Sequence, residues 1–175
     1  MSDDLDSQFG PVIPPQSGLK PWEIRETLRK YDLNQASAQE LTQLLMLAQN
    51  GSIGQSIFKA ITFIWVVSEP GDVIFALEEV VDLQGTARTP RMRGIPLNAS
   101  VKPLGHPLLV GGIGARIGGE LYLDDDSSGG LTWILDNKSG RYGTHRSRTP
   151  THLENAAELF RRYRVSVDTD YLGVV

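Results

Sequence analysis

The stretch Gly119–Asp136, GELYLDDDSSGGLTWILD, constrains the fold most. Two runs that alternate apolar and polar residues flank DDDSSGG, a break made only of acids, serines and glycines. Alternation with period two sends successive side chains to opposite faces of a strand, and a polar glycine-rich break reverses the chain. The pattern predicts an antiparallel hairpin. Any fold for this chain must therefore contain an antiparallel sheet.

Helix signals lie on both sides of that hairpin. From Pro21, PWEIRETLRKY places Trp22, Ile24, Leu28 and Tyr31 on one face, with proline in the first turn. SAQE at Ser37–Glu40 reads as a capping box, followed by an apolar stripe of Leu41, Leu44, Leu45 and Ala48 and a stop at Asn50-Gly51. Ile61–Val67 is β-branched and aromatic and predicts a buried strand. DVIFALEEVVDL fits a helix from Asp72 with Val73, Leu77, Val80 and Val81 inward; a hairpin strand is the alternative. Gln84–Gly119, rich in Gly and Pro, reads as a long loop with short extended pieces. THLENAAELFRRYRV predicts a helix capped by Thr151 that buries Leu153, Ala156, Ala157 and Phe160. VSVDTDYLGVV adds a strand or a docked tail.

Helices, then strands, then a helix indicate an α+β fold: N-terminal helices packed on a small, mainly antiparallel sheet with a C-terminal helix. At 175 residues one domain is expected. Residues 1–19, with the proline-rich GPVIPPQSG, read as a disordered or extended tail. The domain then runs over 20–175, with 20–83 mainly helical and 84–175 holding the sheet and the C-terminal helix.

Composition excludes several chemistries. There is no cysteine, so disulfides, thiolate nucleophiles and Cys-ligated zinc are out. Three histidines, His106, His145 and His152, are too few for a histidine-rich metal site, and no metal is expected. Asp124–Asp126 lacks EF-hand spacing and reads as a hairpin tip. GGIGARIGG at Gly111–Gly119 is followed by strand-like residues, and no Walker lysine is present. Glycine bends, or backbone N–H groups close to a ligand, account for it better than a dinucleotide loop. A net charge of −4 disfavours nucleic acid as partner. The longest apolar run, Ala60–Val67, is too short to span a bilayer, so no membrane partner is expected. The acidic start MSDDLDSQFG is the reverse of a secretory leader. A cytoplasmic location is expected, or delivery from a bacterium into a target cell.

The basic residues are unevenly placed. Leu135–Thr149 holds Lys138, Arg141, Arg146 and Arg148 with Asp136 as its single acid. Gln84–Gly119 has no acid and carries Arg88, Arg91, Arg93, Lys102 and Arg116. Guanidinium forks match phosphate oxygens, and Tyr142 offers a stacking face. Two such segments brought together would focus positive potential. The candidate ligand contacts are Arg91, Arg93, Gly112, Ser139, Gly140, Arg141, His145 and Arg148, with His106 and Tyr142 as candidate catalytic groups.

SGRY at Ser139–Tyr142, then RTP and HLENAAELF, resembles the SGHY segment of plant IQ-motif calmodulin-binding proteins and related bacterial toxin-like and effector-like proteins. His106, Gly112, Gly119, Ser139, Gly140 and Tyr142 fall on matching positions, over roughly His106–Tyr171. Arg141 stands where that family has histidine, GTHRS lengthens the loop, and no IQ motif is present. The resemblance implies a shared His/Ser-Gly-X-Tyr corner but not calmodulin binding. A histidine and a tyrosine on neighbouring strands also resemble ADP-ribosyltransferase-like sites, although the acidic residue such a site requires has no assigned place.

Three functions fit. A bacterial effector-like or conflict-system domain would bind a phosphate-bearing small molecule or nucleotide at the basic corner. An enzyme would act there on a nucleotide such as NAD, with His106 and Tyr142 positioning it. An acidic immunity-type inhibitor would instead bind a protein partner. The first two require Arg91, Arg93, His106 and Arg141 to share one hollow.

Overall fold

The computed structural model describes residues 2–83 and 87–173. The start of the acid-free segment, 84–86, and the last two residues lie outside the described residues. The hairpin forms as its alternation dictates: β7 (Ile117–Asp125) pairs antiparallel with β8 (Leu131–Asp136), Leu121 opposite Leu135 and Leu123 opposite Trp133. At its tip the Asp126 carboxylate accepts from the N–H groups of Ser128 and Gly130 at 2.8 and 2.7 Å.

The sheet grows outward from this pair. β2 (Thr62–Val67) pairs antiparallel with β7, β3 (Val73–Leu77) with β2, and β1 (Tyr31–Asp32) with β3. On the far side β9 (Val167–Asp170) runs parallel to β8, reached through the helix α5 (Pro150–Arg162). The order is β1-β3-β2-β7-β8-β9. A smaller sheet, β5-β4-β6, is built from β4 (Glu79–Asp82), β5 (Arg88–Pro90) and β6 (Val101–Pro103). The fold is α+β, with a C-terminal helix and strand closing it.

One face of the large sheet holds the main core. Trp65, Phe75, Leu121, Leu123, Trp133 and Leu135 pack under α3 (Gln35–Gln49) and α5, against Leu41, Ala48, Leu153, Ala156, Ala157 and Phe160. The opposite face divides in two. At one end Ile64, Val66 and Ala76 meet Leu109, Ala115 and Tyr142. At the other end the strands turn polar, with Thr62, Glu78, Glu120 and Asp136 all buried. Among the described residues no helix is long and apolar enough to cross a membrane.

Several local expectations are corrected. Residues 2–19 are not a free tail. α1 (Ser2–Phe9) packs with Phe9 in the core, Asp6 pairs with Arg116, and Ile13 bridges to Ala115. The apolar Leu5 and Phe9 supply the docking side that the acidic composition hides. The helix from Pro21 ends at Arg25 (α2, Pro21–Arg25), because Leu28 and Tyr31 are drawn into opposite sheet faces. α3 starts earlier than SAQE suggests: Asn34 is its cap, accepting from Ala36 and Ser37, and Ser37 accepts in return from Asn34. α5 is capped by Thr149 rather than Thr151, with Pro150 at its first position. The run from Asp72 is two strands, β3 and β4, not a helix. Both faces of β3 are covered, Val73 and Phe75 on one side and Ala76 on the other, so its apolar run lost the alternation that marks a strand. Residues 20–83 are consequently mixed rather than mainly helical.

Candidate functional site

The polar end of the sheet's second face carries a pit of about 110 Å³ lined by Thr62, Glu78, Arg91, Arg93, Gly94, Glu120 and Lys138. The strands deliver its floor. Thr62 and Glu120 alternate away from the main core on β2 and β7, and Glu78 follows the end of β3. The segment after β5 delivers the wall. Arg91 N–H donates to the Glu78 carbonyl at 2.8 Å and Arg93 N–H to the Ala60 carbonyl at 2.7 Å, with Met92 bridged to Ile61 between them. Lys138 enters from the loop after β8.

The side chains form a partly neutralised set. Arg91 Nη1 lies 2.8 Å from Glu78 Oε1, and Lys138 Nζ lies 3.6 Å from Glu120 Oε2. The Arg93 guanidinium sits 3.7 Å above the Tyr122 ring and only 3.9 Å from Asp124 Oδ2, a loose pairing at the rim. Thr62 Oγ1 is buried without a hydrogen-bond partner. Burial pushes the Glu78 carboxyl above the ordinary carboxylate range, with Glu120 adding to the rise and Arg91 opposing it. Behind the pit, Asp136 accepts from the N–H groups of Glu120 and Lys138 at 2.7 and 2.9 Å. Its carboxyl is still pushed up to about 6, chiefly by burial. Burial likewise pushes the Tyr122 hydroxyl up to about 12, so it stays protonated. Three cations face two carboxylates, and burial raises the Glu78 carboxyl while Arg91 opposes the rise. Such a set can seat one oxyanion, with guanidinium and ammonium donors on it. Among the described residues no group of acids and histidines fits a metal ion.

The His/Ser-Gly-Arg-Tyr corner lies elsewhere and is consumed by the fold. His106 Nε2 donates to the Gly119 carbonyl at 2.9 Å, and burial lowers its pKa to about 4, so the ring is neutral near pH 7. Tyr142 is fully buried, donates to the Ile113 carbonyl at 2.8 Å, and is held protonated by burial. Neither group is open to a substrate, which corrects their reading as catalytic residues. Ser139 Oγ accepts from the N–H groups of Arg141 and Tyr142 at 3.3 and 3.2 Å and shapes the turn. A Cβ on the nearby Gly143 would collide with the carbonyls of Asn137 and Gly118. Arg141 ties down the N-terminal segment: its guanidinium donates to the carbonyls of Gln16 and Gly18 and pairs with buried Glu23 at 2.5 Å. Its guanidinium is thus committed to the fold's own carbonyls and carboxylate.

The remaining expected contacts are scattered. Arg148 is buried and donates from Nε to the Tyr142 carbonyl at 2.9 Å; burial lowers its pKa to about 10, which leaves it charged. His145 Nδ1 and Ser147 Oγ are 2.7 Å apart. Gly112 lines a separate, mainly apolar cavity of about 460 Å³ with Leu19, Ile24 and Leu108. Gly140 faces open space.

The expected hollow of Arg91, Arg93, His106 and Arg141 therefore does not exist as one pocket. What does meet is Arg91 and Arg93 from the acid-free segment with Lys138 from the second basic segment. Thr62, Glu78 and Glu120 are not among the contacts expected from the sequence. Thr62 and Glu120 show only as polar residues within otherwise apolar strands, and Glu78 lies just past the end of β3. Compared with protein-family models, curated proteins and solved structures, the chain matches none.

Proposed function

We propose that this protein binds a small ligand through an oxyanion, a phosphate or carboxylate group, seated among Arg91, Arg93 and Lys138. The observation that carries the reading is their convergence on one pit from two segments that hold almost no acids of their own. The long ion pairs of Arg93 and Lys138 support it, because both side chains can meet an anion without breaking a tight ion pair. The unpartnered Thr62 hydroxyl supplies a further donor or acceptor. The setting we infer follows the SGHY resemblance, a bacterial effector-like or conflict-system domain. Calorimetric titration with inorganic phosphate and with sulfate tests the reading. Binding in the millimolar range or tighter, weakened about tenfold by Arg93→Gln (~1.4 kcal/mol), is expected. Titrations with neither heat nor chemical-shift change would refute it.

A protein-binding role as an immunity-type inhibitor is the second reading. It is favoured by Met46 and Leu47, exposed on α3, and Ile53 and Ile57, exposed on the adjoining α4 (Ser52–Lys59), a helix with no buried residue. Ile53→Asp would abolish a co-purifying partner and leave anion titrations unchanged. A partner retained by that variant would contradict this reading.

A further inference from the structure

Arg91 is the common wall of two cavities. Beside the polar pit lies a hollow of about 220 Å³ lined by Val80, Pro90, Met92, Ile95 and Leu97 as well as Arg91. Single exposed apolar residues are ordinary on a protein surface. Here Ile95 is 63% exposed and Leu97 37% exposed, and both border the same hollow. The loop that presents them is held at both ends. Met92 bridges to Ile61 and Ile95 N–H donates to the Met92 carbonyl, while the Asn98 side chain accepts from the N–H groups of Ser100 and Val101 at 3.0 Å each. The segment that sends Arg91 and Arg93 into the pit thus sends Met92, Ile95 and Leu97 to the hollow. The pit alone has room for one charged group and little more. A charged end held by a few polar contacts beside an apolar lining is the ordinary make-up of a small-molecule site.

We propose that the ligand is an amphiphilic anion: a phosphate or carboxylate in the pit, joined to an apolar body that lies against Met92, Ile95 and Leu97. This rests on the reading of the pit as an oxyanion site and adds the chemical class of the molecule carrying it. Full burial of a methylene strengthens binding about fourfold, and a hollow this open gives about half that gain in free energy, or roughly twofold per methylene. Octyl phosphate should therefore bind at least about tenfold tighter than inorganic phosphate, even if only part of its chain is covered.

The test is titration of the full chain with inorganic phosphate, with monomeric octyl phosphate and with 1-octanol. Octyl phosphate is expected to bind tightest, and 1-octanol weakly for want of the anion. Ile95→Ser and Leu97→Ser should reduce octyl phosphate affinity several-fold and leave inorganic phosphate affinity unchanged. Both sites are exposed, and an unchanged melting temperature shows the variants folded. Equal affinity for inorganic and octyl phosphate would overturn this inference while leaving the pit intact as an anion site. Failure of both phosphates would overturn both readings. Octanol binding as tightly as octyl phosphate would overturn the link between hollow and pit. So would binding seen only with vesicles of phosphatidylcholine and phosphatidic acid, and not with monomeric octyl phosphate.

Discussion

Arg141→Met should cost this fold a large part of its stability. The guanidinium is 13% exposed and its partner Glu23 carboxylate only 3% exposed. Removing the arginine leaves that carboxylate buried without its ion pair, keeping the Lys20 N–H at 2.7 Å as a hydrogen-bond donor. Breaking a buried pair from one side costs about 3–5 kcal/mol. The carbonyls of Gln16 and Gly18 lose their donor as well. Against a total stability of about 5–15 kcal/mol for a domain, that is enough to lower the urea midpoint sharply. Glu23→Gln alone should cost less, because its amide oxygen still accepts. The double variant should recover about 1–3 kcal/mol of the summed losses, the coupling expected of residues in direct contact. Urea unfolding followed by tryptophan fluorescence measures all three. Trp22, one residue from Glu23 and donating to the Pro103 carbonyl, reports locally. A single-variant loss under about 1 kcal/mol, the range of an exposed ion pair, would refute the view of Arg141 as a structural lock.

Asp136→Asn should remove a pH dependence. The folded carboxyl is raised to about 6 by burial, so the folded chain holds a proton that the unfolded chain has released. Stability is full below the unfolded value and falls as pH rises through about 6, by on the order of 3 kcal/mol. Asparagine keeps the oxygen that accepts from Glu120 and Lys138, so melting temperatures from pH 4 to pH 7.5 should flatten, and an unchanged slope would contradict the assignment. Glu78, raised in the same direction, should leave a smaller slope of the same sign. Gly143→Ala should cost more than about 4 kcal/mol, since both colliding atoms are backbone carbonyls, while Gly140→Ala, facing open space, should stay within about 0.5 kcal/mol; equal effects in thermal melts would contradict the close packing of the corner.

What could be read from the chain follows how much of each element sits at a boundary between core and water. The hairpin of β7 and β8 was legible because its polar and apolar positions alternate around an unmistakable turn. β3 was not, since it is covered on both faces and its run of Val, Ile, Phe and Ala carries no period of two. α1 was not legible because two apolar residues, Leu5 and Phe9, do the docking inside an acidic segment, and Asp6 pairs with Arg116 from more than a hundred residues away. The same limit applies to the site. Clusters of arginine marked the right segments, but not which guanidiniums the fold would use for itself. Arg141 is spent on two carbonyls and a buried carboxylate and Arg148 Nε on a carbonyl, whereas the carboxylate partners of Arg93 and Lys138 stand 3.9 and 3.6 Å away. Glu78 and Glu120 belong to the pit through strand register, which no local motif encodes.

The most direct measurement is a crystal of the full chain soaked in selenate, read by its anomalous signal. An oxyanion site predicts a selenium peak within hydrogen-bonding distance of Arg93 and Lys138, near the Thr62 hydroxyl. Data that place selenate only elsewhere on the surface, with the Arg91–Glu78 and Lys138–Glu120 pairs undisturbed, would contradict it.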